Sequence, residues 1–274
     1  MNQNQPLVSV IITVYNGMPY IIDAIEHLQN QTYTNIEIIV VDDGSSDETK
    51  KAVEQISKTD NKVRLIKSSR IGRGKALNKA IEVSKGEFLA INDADDFSHK
   101  TRIQKQVDFL EANHDYVLVG SKSNLRNLQT GEVTNHSIER PSSNVEIRKY
   151  FLKGQPIQHV CVLMRAEAIE KIGGYSEKIN FLYDRDLFIR LASNGGKLHN
   201  LDEILVDVGH HPTRFFYNTF TGKERIKLDF HYRFEAAKML NEPFKTRFKL
   251  WSLLRWSLLP EGIRKTIKKI LKRK

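Results

Sequence analysis

Residues 36–49 read "IEIIVVDDGSSDET". Ile36–Val41 is a short, near-continuous β-branched run, which predicts a strand covered on both faces, as in a parallel sheet. The run stops at two carboxylates, Asp42 and Asp43. Gly44 and the serines then supply a turn, and Ser46 or Asp47 stands where an N-cap would start a helix to about Lys58. A strand, a turn and a helix in this order form half of a βαβ unit, and the neighbouring sequence repeats the pattern. Leu7–Val14 ("LVSVIITV") reads as the first strand, and Ile21, Ile22, Ile25 and Leu28 give Pro19–Gln31 a helical spacing. Val63–Lys67 is a third strand, Gly72–Gly74 opens a helix to about Ser84, and Phe88–Ile91 is a fourth strand. Alternating elements of this kind predict an α/β fold with a largely parallel sheet. Ligands of such sheets bind beyond the carboxyl ends of the strands. Val14-Tyr15-Asn16, Asp42-Asp43 and Asp93 to Asp96 all fall at that edge.

After about Tyr116 the pattern loosens. Val117–Gly120 and Val160–Met164 read as strands, and Val145–Leu152 and Ala166–Ile172 as helices. "IGGYSE" (172–177) reads as a helix stop and turn, Asp184–Ala192 as a helix, and Lys197–Val208 contains one more strand. No repeat and no low-complexity linker is present.

The chain has 274 residues and a formal charge of +10, a length that suits one large α/β domain with or without an appendage. Its single cysteine, Cys161, lies in an apolar run and reads as core filling, and it excludes an internal disulfide. The "MNQNQP" start lacks a basic-then-apolar signal, and no apolar run approaches the ~18–20 residues of a membrane span. The expectation is a cytoplasmic protein. Residues 245–274 hold eleven Lys/Arg and one acid, Glu261, so the whole excess charge lies in the tail and residues 1–244 are neutral. Nucleic acid is not an expected partner, because a neutral body offers no basic groove that continues the tail.

The chemistry-bearing cluster is "NDADD" (92–96), a strand end carrying Asp93, Asp95 and Asp96. Strand side chains repeat every two residues, so Asp93 and Asp95 share a side. Clustered hard oxygens suit Mg²⁺ or Mn²⁺. The same residues also suit a solvated loop, with Ser98 capping the next helix. Asp43 stands where a carboxylate accepts from a base or ribose, or where an ordinary turn needs an Asp. "RIGRGKALN" (70–78) places Arg73 and two glycines at a helix start, a phosphate approach or a simple cap. A G-x-G-x-x-G pattern after the first strand is missing, which argues against a dinucleotide-dependent dehydrogenase.

In order along the chain, "PLVSVIITVYNG", "QTYTNIEIIVVDDGSSDET", "GKALNKAIEVSKGEFLAINDADD", "VLMRAEAIEKIGGYSE", "YDRDLFIRLASNGG" and "HHPTR" resemble the blocks of the family 2 glycosyltransferases. The resemblance covers roughly residues 6–215. It implies a GT-A fold, Rossmann-like with a mostly parallel central sheet between helices. It also implies inverting transfer of a sugar from a UDP-linked donor to a hydroxyl acceptor, which would be a polysaccharide, a lipid-linked oligosaccharide or a protein-linked glycan. The expected layout is a GT-A domain over 1–215, with a nucleotide-binding half to about 115 and an acceptor-side half from about 116, followed by a basic helical extension over 216–274. By the same resemblance Thr13, Tyr15 and Asp43 hold the base, Asp93 contacts the ribose, and Arg73 joins the nucleotide-sugar site. Asp95 and His211 hold Mn²⁺ or Mg²⁺, and Asp184 is the general base. His159, Asp96 and Arg214 are expected at the acceptor or diphosphate. Two departures stand out: Tyr183 where the family commonly has an acid, and Val208-Gly209 where a Tyr-Arg pair is common. The second shifts the neutralisation of the diphosphate toward His210, His211 and Arg214.

Two other readings fit part of the pattern. A sugar-phosphate nucleotidyltransferase would share the fold class and the metal, but no G-x-G-T-R-type loop follows the first strand. A catalytically inactive glycan-binding or scaffold protein would not need both the acidic cluster and Asp184. The tail reads as two basic amphipathic helices separated by Pro260. The first is Phe244–Leu259, with Phe244, Phe248, Trp251, Leu254 and Leu258 on one face, and the second is Ile263–Leu271. Such helices suit an anionic membrane surface; a cap on the body or a subunit interface is the alternative.

Overall fold

A computed structural model describes residues 5–134, 140–179, 181–210, 222–260 and 262–265. The first half alternates as the sequence predicts: β1 (Val8–Val14), α1 (Tyr20–Gln29), β2 (Ile36–Asp42), α2 (Thr49–Thr59), β3 (Val63–Lys67), α3 (Arg73–Val83) and β4 (Phe88–Asn92). Then follow β5 (Phe97–Ser98), α4 (Arg102–Ala112), β6 (Tyr116–Asn127), β7 (Val133–Thr134), α5 (Asn144–Tyr150) and β8 (Leu163–Arg165). Last come α6 (Ala166–Lys171), α7 (Tyr183–Ser193), β9 (Lys197–His210), α8 (Gly222–Met239) and α9 (Phe244–Leu258).

Among the described residues the strands form one sheet in the order β3-β2-β1-β4-β8-β6-β9-β5, with β7 against β6. The first four are mutually parallel. β8 enters antiparallel to both β4 and β6, and β6 then pairs parallel with β9 through several bulges. The parallel character thus holds in two blocks that an antiparallel strand joins.

The absence of alternation in the early strands has the expected cause. Val8, Val10 and Ile12 of β1 pack with Ile21, Ile25 and Leu28 of α1 and with Ile103, Val107 and Leu110 of α4 on one face. Ile11, Ile39, Val41, Leu89 and Ile91 pack on the other face with Ala76, Leu77 and Ala80 of α3 and with Leu187 and Phe188 of α7. Both faces are covered, so each strand position is selected for apolarity.

Several local expectations change. α2 begins at Thr49 without a side-chain cap; the Asp47 carboxylate instead accepts from the N–H groups of Thr49 and Met18, at 3.0 and 3.2 Å. Ser98 caps no helix: it is buried in β5 and donates to Asn92 at 2.8 Å, and α4 starts at Arg102. The apolar run 160–164 divides into a single 3-10 turn, His159–Cys161, and the short β8. Cys161 is a free, buried core residue, and burial pushes its thiol up to about 11.

In the tail, α9 docks on α8 through Leu250 and Leu254, against Phe230 and Ala237. Phe244, Phe248 and Trp251 therefore do not share a buried face with Leu254. They are 80%, 53% and 46% exposed and stack on one another with centroids 6.2 and 5.8 Å apart. No helix of the described residues is long and apolar enough to cross a membrane. His211 and Arg214 lie outside the described residues, as does most of the expected second tail helix.

Candidate active site

The acidic turn between β4 and β5 is built from buried neighbours. Asn92, the last residue of β4, donates through Nδ2 to the carbonyls of Asp93 and Asp96, at 2.8 and 3.4 Å. Its Oδ1 accepts from Ser98 and from Arg102 Nη1, at 2.8 and 3.1 Å. Arg102 is fully buried and makes four further bonds: to Ser98, Gln106 and the carbonyls of Ile91 and Val162, at 2.8–3.2 Å. Burying a guanidinium costs several kcal/mol. Charged hydrogen bonds contribute about 1.5–3 kcal/mol each, so the five bonds offset that cost and fix the turn.

One carboxylate oxygen from each of Asp93, Asp95 and Asp96 lies within 4.8 Å of the other two. This all-oxygen donor set at a strand end fits a hard divalent cation that also brings phosphate ligands. The three acids have different local roles. Arg73, at the start of α3, forms an ion pair with Asp93. Asp96 is completely buried, and its Oδ1 accepts from the Gly209 N–H at 2.8 Å. It therefore braces the end of β9 against the turn and presents little surface to an acceptor.

Gly209 is close because it has no side chain. A Cβ at that position would lie 2.2 Å from the Asp95 carbonyl oxygen. The sequence departure at Val208-Gly209 thus has a steric reason: β9 passes directly against the backbone of the acidic turn. Gly209→Ala is expected to cost about 1–3 kcal/mol by overpacking. A urea melt would register it as a lower midpoint with an unchanged slope.

The rim expected from the sequence to meet the donor lies at the ends of β1 and β2. Asp43 accepts from the N–H groups of Ile71 and Gly72, at 2.7 and 2.9 Å, and so anchors the loop that leads into α3. A carboxylate has about four acceptor sites, so one more N–H would share an oxygen with these amides. Tyr15 is half-exposed, and the Arg70 guanidinium lies over its ring, 3.1 Å from the centroid. Thr13 Oγ1 and Arg73 Nε are buried without a hydrogen-bond partner among the described residues.

Asp184 occupies the first turn of α7, which starts after Leu182 in a left-handed conformation with φ of 57°. Such strain in a non-glycine residue accumulates at functional sites. Gln155 Nε2 donates to Asp184 Oδ2 at 2.9 Å. Burial raises the Asp184 carboxyl above the ordinary carboxylate range, although its own helix N–H groups and Arg73 pull the other way. Arg73 is the bridge between the two carboxylate sites: it pairs with Asp93, and its guanidinium lies 5.8 Å from the ring centroid of Tyr183, the residue before Asp184. Burial opposes the charge of Arg73, but Asp93, Tyr183 and Asp95 outweigh it, so the guanidinium stays charged.

His159 sits in the wall behind this bridge and does not reach the cleft surface. It is buried at 8% exposure, and its Nε2 is 2.7 Å from the Tyr175 hydroxyl. Tyr175, Tyr183 and Phe188 surround it. Burial, followed by Arg73, lowers its pKa to about 3. It is therefore neutral at physiological pH and is a poor phosphate partner. The Gly173-Gly174 stop, with φ of 75° and 70°, turns the chain so that Asn78 can clamp the Tyr175 backbone with bonds of 2.8 and 2.9 Å.

Beside Asp184 opens a cleft of about 530 Å³, lined in part by Gln155, Asp184, Arg185, Arg225, Asp229 and Arg233. Three of these come from α8, which falls in the extension expected to be helical over 216–274 but without an individual element placed at these residues. Asp229 accepts from the buried Arg185 at 2.5 Å and from Arg233 at 2.7 Å. The structure thus brings together Arg73, Asp93, Asp95 and Asp184, holds Asp43 and Thr13 on the adjoining rim, and turns Asp96 and His159 to bracing roles. The sequence reading missed Gln155, Arg102 and the Arg185–Asp229–Arg233 group. Only Arg185 carried a signal, as a charge in an otherwise apolar helix stripe.

The comparisons with known proteins address the family and the fold. A sequence model described as Glycosyl transferase family 2 matches residues 9–173. An uncharacterized glycosyltransferase of Methanocaldococcus jannaschii is 28% identical over 259 residues, 93% of this chain and 88% of that protein. Among solved structures, S. aureus TarS 1-349 in complex with UDP-GlcNAc superposes with a TM-score of 0.66 at 20% identity, covering 89% of this chain and 73% of that one. The mannosyltransferase PcManGT from Pyrobaculum calidifontis, in complex with GDP-Man and Mn²⁺, gives a TM-score of 0.65 at 20% identity, covering 93% and 73%. The ordered motifs, the strand-end carboxylates and the matched residues lead to one assignment: the chain belongs to glycosyl transferase family 2 and is a glycosyltransferase of GT-A fold.

Proposed function

We propose that the protein transfers a sugar from a UDP-linked donor to a hydroxyl acceptor with inversion at the anomeric carbon. The observation that carries this reading is the Arg73 bridge, which couples the acidic turn to Tyr183-Asp184 at the mouth of a cleft. Asp184 takes the acceptor hydroxyl proton as the oxygen attacks the anomeric carbon. The bond to the diphosphate breaks on the opposite face, and UDP leaves. Gln155 orients the Asp184 carboxylate through its amide. Arg73 holds Asp93 in place and adds positive charge beside the leaving group. A divalent ion on Asp95, Mn²⁺ or Mg²⁺, would supply charge neutralisation for the departing diphosphate, with His211 as a further ligand. The solved neighbours include one bound to UDP-GlcNAc and one bound to GDP-Man and Mn²⁺, which supports a nucleotide-sugar donor with a metal. The test is a panel of UDP- and GDP-sugars with Mn²⁺. Release of a nucleoside diphosphate from a UDP-sugar is expected. Pyrophosphate release would instead identify a nucleotidyltransferase, and UDP binding without turnover a non-catalytic module.

The exposed Phe244, Phe248 and Trp251 are interleaved with Lys245, Arg247, Lys249 and Arg255 on α9. This supports peripheral attachment to the cytoplasmic face of an anionic membrane, next to a lipid-linked or membrane-proximal acceptor. Each basic residue near such a surface contributes about 1 kcal/mol, which salt screens. Truncation after Asn241 keeps α8, so UDP binding should persist while sedimentation with anionic liposomes is lost. Full-length protein that ignores those liposomes at low salt, with truncation converting an oligomer to a monomer, would make α9 a subunit interface.

A further inference from the structure

Tyr15 and Arg70 form a closed pair on a fixed frame. The loops after β1, β2 and β3 meet at this rim, and hydrogen bonds tie them together. The Asn16 N–H donates to Ser45 Oγ at 2.9 Å, and Asn16 Oδ1 accepts from the Ser46 N–H at 2.8 Å. Asp43 takes the N–H groups of Ile71 and Gly72, one on each carboxylate oxygen. Gly44 is left-handed with φ of 81°, and a Cβ there would lie 3.0 Å from the Arg70 nitrogen. Arg70 is itself left-handed, with φ of 55°. Its backbone is therefore held, and its exposed side chain moves only by its own torsions. The guanidinium carbon stands 3.1 Å from the centroid of the Tyr15 ring. Among the described residues this guanidinium makes no hydrogen bond and no ion pair, although it carries five donors. A ring face alone holds it, and at an exposed site that contact favours the closed pair by only about two- to fivefold.

We infer that Arg70 is a gate on the donor site: its guanidinium covers the face of Tyr15 on which the donor base stacks, and it swings off when the donor arrives. The gate rests on the reading of Tyr15 as a seat of the base. A base on the ring would lie about 3.5–4 Å from it, in the layer that the guanidinium already fills, so the two exclude each other on this face. Stacking of a base on an aromatic ring outweighs an exposed cation–π contact, so the donor wins. It wins at reduced affinity, because the free protein presents an open ring for only about one-third to one-sixth of the time.

The experiment titrates full-length protein, Arg70→Ala, Tyr15→Ala and the double variant with UDP by calorimetry and with uridine by saturation-transfer NMR. Uridine has the base without the diphosphate, so it is blind to the lost positive charge. Arg70→Ala keeps a Cβ on the same left-handed backbone and removes only an exposed side chain, so the fold is expected to stand. Uridine should bind Arg70→Ala about three- to sixfold more tightly than wild type. In the Tyr15→Ala background, removal of Arg70 should bring no gain, since no ring remains to be covered. Unchanged or weaker uridine binding in Arg70→Ala overturns the gate and makes the guanidinium a brace for the ring or a partner of the base. A gain that persists without Tyr15 overturns it as well. If neither UDP nor uridine binds wild type or Arg70→Ala, the donor reading falls and takes the gate with it, whereas UDP binding without an Arg70 effect on uridine removes the gate alone.

Discussion

In Asp184→Asn, kcat is expected to fall by about 10²–10⁴ while UDP affinity stays near that of the wild type. Asparagine keeps the shape and can still meet Gln155, but it has no basic oxygen for the acceptor proton. Calorimetry for UDP and initial rates for transfer separate the two effects, and a variant with full kcat would remove Asp184 from the chemistry. The pH dependence carries a sign. Burial raises the Asp184 carboxyl, so the wild type loses activity, as pH falls, earlier than an exposed aspartate would. Stability runs the opposite way. Between the ordinary and the raised pKa the folded chain binds more protons than the unfolded chain, so stability declines as pH rises through that window. Asp184→Asn should not show that decline.

Asp95→Ala is expected to lower turnover by about 10²–10³, the usual loss when one preorganised stabiliser of developing charge is removed. EDTA should do the same to the wild type and add little to the variant. The Gly209 contact lies on the Asp95 backbone, so the side-chain truncation leaves β9 in place and the fold is expected to survive. Mn²⁺-enhanced water relaxation supplies a readout other than turnover: ion binding seen in the wild type should weaken in Asp95→Ala. Undiminished donor turnover in EDTA would sink the metal role.

The first four strands and their helices were legible because each βα unit is local. An apolar run, a carboxylate turn and an amphipathic helix follow one another without any long-range partner. Asp43, Asp93 and Asp95 could be placed at the carboxyl edge for the same reason, whereas Thr13 came only from the family resemblance. α8 was not legible. Its residues Ile226, Leu228, Phe230, Tyr232 and Phe234 alternate with polar ones, which is a strand's period, and yet they form a helix. Leu228, Tyr232 and Ala236 pack on the main core, while Ile226, Phe230 and Ala237 pack toward α9. A helix covered on two sides needs apolar residues around its circumference, which erases the single stripe that sequence periodicity detects. The Val160–Met164 run was misread for a related reason. Apolarity records burial, and a buried 3-10 turn and a buried strand look alike over five residues. Asp96 and His159 were chemically suggestive types whose partners, Gly209 and Tyr175, are distant in sequence.

The Asp229 bridge decides how this enzyme can be recombined with others. Arg185 adjoins Asp184 and spends one end of its guanidinium on α8. A chimera crossed over near residue 215 would import a foreign helix at that point and strand a buried arginine, a loss of about 3–5 kcal/mol for a broken buried pair, right beside Asp184, the proposed base. A crossover in the Leu240–Pro243 connection instead carries α7 and α8 together and exchanges only the segment from α9 onward. The unit to be moved intact is therefore the helix pair α7–α8, and the segment from α9 onward can be traded independently of it.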